Sequence, residues 1–293
     1  SVNLNEVVRS TVLHMSAMKV EPCTPSIGAV ITGVDLSDEI SDIEADFLYE
    51  ALLNHFVLFF RDQHLTPKQL SFFARKFGPL VGAHHTYESL EGFDHVTVLN
   101  MGPENPPDSA EWHADLTFNQ DAAFASVLQG IEIPSVGGDT LWASCFAVHD
   151  ALPPGLRKDL EQLSAVHDMG SFRSHAYKAG GIDGINEQMG SVGSAVHPII
   201  DHHPVTGRPF VNVNETFTVH ILGMTQPESR RLLNYLFDLI NRPQFHVRLR
   251  WQEGTIALWD NRGSQHYAVD DYLPERRVMH RVVVSSDIRQ SQS

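Results

Sequence analysis

The chain has 293 residues, 42% hydrophobic and 19% charged, as in ordinary globular proteins, and its 36 acidic against 21 basic residues give a formal charge of −15. Without a basic block to grip phosphates, that balance argues against nucleic acid as a partner. Two cysteines, Cys23 and Cys145, make no disulfide framework, and no apolar run nears the roughly 20 residues of a membrane span.

The first 17 residues read as an N-terminal arm, and 18–293 as a single domain without repeat or linker. No basic-then-apolar leader is evident, so cytoplasmic residence and no membrane partner are expected. Residues 27–36, "IGAVITGVDL", predict strand, turn and strand end. Ser37 and Ser41 are candidate N-caps for a helix whose apolar face takes Ile43, Phe47, Leu48, Ala51 and Leu52. "VLFFRDQ" predicts a buried strand, and "TPKQLSFFARKFG" a helix with Thr66 as cap, Pro67 at its first position and Gly78 past its end. Beyond residue 90 short strands alternate with turn clusters, interrupted by helices at about 146–164 and 225–241. The expected class is mainly β with flanking helices, a closed barrel or two-sheet jelly roll. The glycine-rich segment 170–196 is a candidate lid, and "HPIIDHHPVTGRP" (197–209) reads as a turn-rich connection with Gly207 at a positive-φ turn.

In "EWHADLTF", His113 and Asp115 stand two apart, so an extended backbone projects them to one side. Two neutral imidazoles and a carboxylate are the ligands of a non-haem iron(II) centre that keeps open positions. Among 17 histidines a chance His-x-Asp is common, and the pair alone carries little. The best third ligand is His266, which follows a β-run and a turn; His149, His167, His197, His202 and His203 compete, and most of them are expected at the surface or core edge. In "ERRVMHRVVVSS", Arg277, Met279 and Arg281 share one strand face. Spacing alone leaves open whether that face is solvent or interior. Inward, the two arginines would be anion receptors about 13 Å apart, each needing a partner for its buried charge. Trp142, Trp251 and Trp259 read as barrel packing, and Asp270–Asp271 as a solvated turn.

Together "EWHADLTF", "GGDTLWAS", "FVNVNETFT" and "LWDNRGSQHYAVDDYLPERRVMHR" resemble, in order, the TauD/TfdA family of iron(II)/2-oxoglutarate-dependent dioxygenases, closest to its taurine dioxygenase branch. The resemblance implies a double-stranded β-helix (jelly-roll) core and iron on His113, Asp115 and His266. It also implies 2-oxoglutarate on Thr140 and Arg277, eleven residues after His266, with O2 as oxidant. Substrate contacts would be Arg281, fifteen after His266, with His84, Tyr87, Leu116, Phe172 and Phe217; an extra residue after "FG" leaves His85 competing with His84. The substrate implied is a small anionic organic molecule. Hydroxylation of the carbon beside its head group would release an aldehyde with sulfite or sulfate, alongside succinate and CO2. Ser109 stands where the taurine enzyme has an amine-contacting asparagine, and the candidate lid differs, so a sulfonate or sulfate ester other than taurine is expected. Two alternatives stay open: the same chemistry on an aryloxyalkanoate or other carboxylate, and a non-catalytic metal- or ligand-binding barrel. The family prior adds a homo-oligomer, dimer or tetramer.

Overall fold

A computed structural model describes residues 17–84, 87–107, 110–169 and 194–290. In chain order it holds β1 (Lys19–Pro22), β2 (Ala29–Thr32), α1 (Asp42–His55), β3 (Val57–Phe60), α2 (Pro67–Arg75), β4 (Ser89–Leu90), β5 (Phe93–Met101) and β6 (Ala125–Glu132). There follow β7 (Thr140–Ser144), α3 (Cys145–Ala151), α4 (Pro154–Leu160), β8 (Ser164–His167), β9 (Ala195–Pro198), β10 (Ile200–His202), β11 (Pro209–Val211) and β12 (Thr218–Ile221). The chain closes with α5 (Gln226–Ile240), β13 (His246–Leu249), β14 (Ile256–Asp260), β15 (Ser264–Ala268) and β16 (Arg277–Val284).

An eight-stranded sheet, ordered β1-β2-β3-β14-β6-β16-β5-β4, forms one wall. The three-stranded sheet β13-β7-β15 forms the other. Their facing sides share one core, in which Phe59, Trp259 and Met279 of the large sheet meet Trp142, Val247 and Leu249 of the small one. Trp142 lies 5.3 Å from Phe59 and 5.6 Å from Trp259, both edge-on, so the tryptophans do pack the barrel. The outer face of the large sheet carries Leu58, Phe60, Leu258 and Val282 against α1 and α2. This explains the unbroken apolar run at Val57–Phe60: alternate residues enter different cores and none meets water. The fold is the expected jelly roll.

Ser41 caps α1 through a capping box with Glu44, and Thr66 caps α2 with Gln69. Leu48, Ala51 and Leu52 bury as expected on the apolar face of α1 and Phe47 does so in part, but Ile43 is 54% exposed. The helix expected over 146–164 is two, α3 and α4, because Leu152 is extended ahead of Pro153 and Pro154. The turn-rich reading of 197–209 is also corrected. Residues 195–198 pair antiparallel with β8, and 200–202 with β11, while Gly207 does sit in a turn at φ 67°. Of the competing histidines, His149, His167, His197 and His203 are buried in the interior, not at its edge. His203, for example, meets the Asp260 carboxylate through Nε2 at 2.8 Å. Among the described residues no helix is long and apolar enough to cross a membrane.

Candidate active site

Register decides what spacing left open. On β16, Arg277, Met279 and Arg281 stand opposite Met101, Leu99 and Thr97 of β5, and all six line or pack against the space between the sheets. Both arginines therefore point inward, while Val282 and Val284 face the helices. The cavity measures about 140 Å³.

His113 and His266 form an isolated antiparallel bridge, exchanging N–H···O bonds of 3.1 and 2.8 Å. That pairing brings their rings to 4.1 Å. The Nε2 atoms of His113 and His266 lie 3.8 and 3.7 Å from Asp115 Oδ1. One ligand atom from each of the three residues falls within 4.8 Å of the others, the only such group of metal-ligating side chains among the described residues. His113 Nδ1 donates to the Glu111 carbonyl at 3.0 Å, which leaves Nε2 as the lone-pair nitrogen facing the cluster. Ser126 Oγ donates to Asp115 Oδ2 at 3.1 Å, holding the carboxylate with Oδ1 turned to the histidines.

Burial opposes charge on Asp115, but His266, Arg281 and His113 outweigh it and hold the carboxyl well below the usual carboxylate range. Burial pushes His266 down to about 3, against the pull of Asp115, so that ring is neutral at pH 7. Arg281 brings its guanidinium to the same carboxylate, with NH1 3.6 Å from Oδ1. Two imidazoles and one ionised carboxylate are a donor set that suits a divalent transition metal.

The second polar group lies beside this one. Arg277 is 6% exposed, and no ion pair reaches it among the described residues; Nε donates to the Gly138 carbonyl at 3.1 Å and NH2 to Thr140 Oγ1 at 3.3 Å. Burial lowers it to about 10, which still leaves it cationic at pH 7. Gly138 has to be glycine: its φ is 70°, and a Cβ would stand 3.1 Å from Arg277 Cδ.

His84 and Tyr87 line the cavity with their rings 4.9 Å apart, and Tyr87 N–H donates to His84 Nδ1 at 3.2 Å. Leu116 and Phe217 line it too; Phe217 meets His113 edge-on at 6.2 Å. Phe172, His85, Ser109 and most of the 170–196 segment lie outside the described residues.

Three supports were missed in the sequence. Asn261 grips the backbone of Asp115 at both ends: Oδ1 accepts its N–H at 2.7 Å, and Nδ2 donates to its carbonyl at 2.7 Å. Nothing in "WDNRG" separates that asparagine from an ordinary turn former. Ser126, a polar residue in the buried strand β6, did carry a signal. Trp251 packs as expected but also donates Nε1–H to Thr140 Oγ1 at 2.9 Å.

A family model described as "Taurine catabolism dioxygenase TauD, TfdA family" matches residues 19–283. The chain belongs to the TauD/TfdA family. As a member it is an iron(II)- and 2-oxoglutarate-dependent dioxygenase. An alkylsulfatase from Acinetobacter baylyi is 34% identical over 282 residues, covering 92% of this chain and 86% of that protein. An alpha-ketoglutarate-dependent sulfate ester dioxygenase from Pseudomonas putida is 32% identical over 290 residues, 97% of this chain and 95% of that one. Among TauD/TfdA structures, a taurine dioxygenase from Burkholderia xenovorans superposes with a TM-score of 0.79 at 31% identity, over 92% of this chain and 90% of that one.

Proposed function

We propose that the enzyme oxidises an alkyl sulfate ester or sulfonate, in which the carbon beside the head group carries hydrogen, at that carbon. With a sulfate ester, hydroxylation gives a hemiacetal sulfate that collapses to an aldehyde and sulfate; a sulfonate gives an aldehyde and sulfite. The observation that carries this reading is the cavity wall: two inward guanidinium groups against one carboxylate, beside a His-Asp-His cluster. Relatives named for sulfate esters, matched over nearly the whole chain, support the choice of head group.

In this reading His113, Asp115 and His266 hold iron(II), which with 2-oxoglutarate supplies O2 activation coupled to decarboxylation to succinate and CO2. Arg277 and Thr140 receive the distal carboxylate of 2-oxoglutarate through charge-assisted bonds. Arg281 receives the substrate anion; its buried Nε has no hydrogen-bond partner, a donor left for a ligand. His84 and Tyr87 flank that head group, and Leu116 and Phe217 exclude water from the reacting C–H. Placement is the protein's contribution, because a head group fixed on Arg281 limits which carbon meets the oxidant.

Succinate formation with iron(II), 2-oxoglutarate and O2, across matched alkyl sulfates, sulfonates and aryloxy acids, tests this. Turnover with the sulfur oxyanions, accompanied by aldehyde and sulfate or sulfite, is expected. Stimulation by carboxylates alone would overturn the sulfur assignment. Anaerobic iron(II) and 2-oxoglutarate should give a weak visible charge-transfer band, absent in Asp115→Ala.

A further inference from the structure

Thr140 opens β7 between two neighbours, paired with Leu249 of β13 and Ala268 of β15, so its position is fixed from both sides. A threonine hydroxyl has two lone pairs and one hydrogen. Trp251 Nε1–H occupies one lone pair at 2.9 Å and Arg277 NH2 the other at 3.3 Å. Neither partner can accept a proton, since an indole N–H and a guanidinium are donors only. The hydroxyl hydrogen must therefore point away from both, and Thr140 lines the cavity. We infer that Trp251 is a positioning residue for the co-substrate: it fixes the polarity of the Thr140 hydroxyl, so that this group meets an incoming carboxylate as a donor and not as a free rotor.

This rests on reading Thr140 and Arg277 as the receptor for the distal carboxylate of 2-oxoglutarate. Trp251 touches none of the three iron ligands in any hydrogen bond; it acts through one oxygen atom. It also lies beside the Arg277 guanidinium, with the ring centroid 5.9 Å from Cζ. Without its N–H, one Thr140 lone pair would be vacant, and the hydroxyl could rotate freely or recruit water. Binding an anion would then require ordering that rotor.

The test is the dissociation constant of 2-oxoglutarate for the iron(II)-loaded enzyme under anaerobic conditions, read by calorimetry. Trp251→Phe should weaken it about fivefold to tenfold, the worth of one net hydrogen bond, while leaving alkyl sulfate binding unchanged. Thr140→Val should weaken it as well, and Trp251→Phe added to Thr140→Val should cost nothing further. Thr140→Ser, which keeps the hydroxyl, should restore the sensitivity to Trp251. A Trp251→Phe penalty of equal size with and without the Thr140 hydroxyl would mean simple packing and overturn the inference. So would unchanged affinity in Trp251→Phe. If Thr140→Val itself binds 2-oxoglutarate normally, the receptor reading fails and takes this inference with it, whereas a Thr140→Val penalty with a silent Trp251→Phe sinks this inference alone. A benzothienylalanine at position 251 keeps the bicyclic shape and removes only the N–H; it must give the same result even if the phenylalanine variant folds poorly.

Discussion

Replacing Asn261 with alanine tests whether the iron site is built by backbone placement as well as by its ligands. The amide makes three buried bonds: 2.7 Å from Asp115 N–H, 2.7 Å to the Asp115 carbonyl and 3.1 Å to the Ala123 carbonyl. At roughly 1 kcal/mol net each, their loss costs about 3 kcal/mol, and the Asp115 peptide groups are left buried without partners. Leu116, the next residue, sits at φ 60°, a left-handed conformation costing on the order of 1 kcal/mol for a residue with a Cβ. Asn261 grips both peptide groups of Asp115 immediately before that position. Released, Leu116 relaxes towards ordinary φ and swings the Asp115 carboxylate away from the two histidines. The expected result is a fall in iron(II) affinity of about 10- to 100-fold, as for other residues that orient ligands. Anaerobic titration with iron(II) or manganese(II) measures it, and thermal melting of the metal-free protein reports the stability loss separately. Destabilised protein that binds metal with wild-type affinity would refute the argument, because it would make Asn261 a fold residue only.

Gly138→Ala places a Cβ at φ 70° against the Arg277 side chain. It should cost about 1 to 3 kcal/mol of stability and raise the KM for 2-oxoglutarate while sparing the KM for substrate; equal changes in both would count against a local effect. Burial, then the neighbouring His197, lowers His167 to about 3, below the ordinary value near 6.5 that it regains when unfolded. Its neutral form favours the fold fully above pH 6.5, and that contribution is lost as pH falls towards 3. Between pH 7 and 4.5 the loss amounts to about 2.5 kcal/mol. Urea unfolding at pH 7 and 4.5 should show a smaller acid loss in His167→Gln than in wild type, and parallel losses would contradict the assignment.

The chemistry was legible where it depends on side-chain type at a fixed spacing. His113 and Asp115 at i and i+2, and Arg277 and Arg281 on one strand face, follow from the period of two. Which face of β16 is interior does not follow from that strand, because Val278 is buried as well. It depends on register with β5, a contact between segments more than 170 residues apart. Asn261 and Trp251 escaped for a related reason. They act through single hydrogen bonds to a backbone or a hydroxyl, and their residue types have commoner uses in turns and cores. The strands at Ala195–Pro198 and Ile200–His202 were hidden because prolines and histidines mimic a turn cluster, while the partners that make them strands lie elsewhere in the chain.

The charges on the cavity wall lead to a last prediction about substrate. Beside imidazoles that ligation of a metal keeps neutral, Asp115, Arg277 and Arg281 leave a surplus of one positive charge. A divalent metal raises it to three, dianionic 2-oxoglutarate returns it to one, and a monoanionic head group brings it to zero. An alkyl sulfate or sulfonate therefore neutralises the site, whereas a zwitterion of the same length neutralises it with its head group and then adds an uncompensated ammonium. Leaving water for a wall without a free carboxylate costs that ammonium about 2 kcal/mol. No second carboxylate lines the described cavity to offset it. The overall charge of −15 alters this little, since charges beyond about 8 Å are screened at physiological salt. An aminoalkyl sulfate should then show a KM on the order of 30-fold above that of the alkyl sulfate of equal length. Arg281→Gln should erase the difference while weakening both, because the head group then leaves a negative surplus that attracts the ammonium by about 2 kcal/mol at an effective dielectric near 20 and about 8 Å. Equal KM values for the two substrates in the wild-type enzyme would show that the ammonium finds a partner beyond the described wall, and the charge argument would fail.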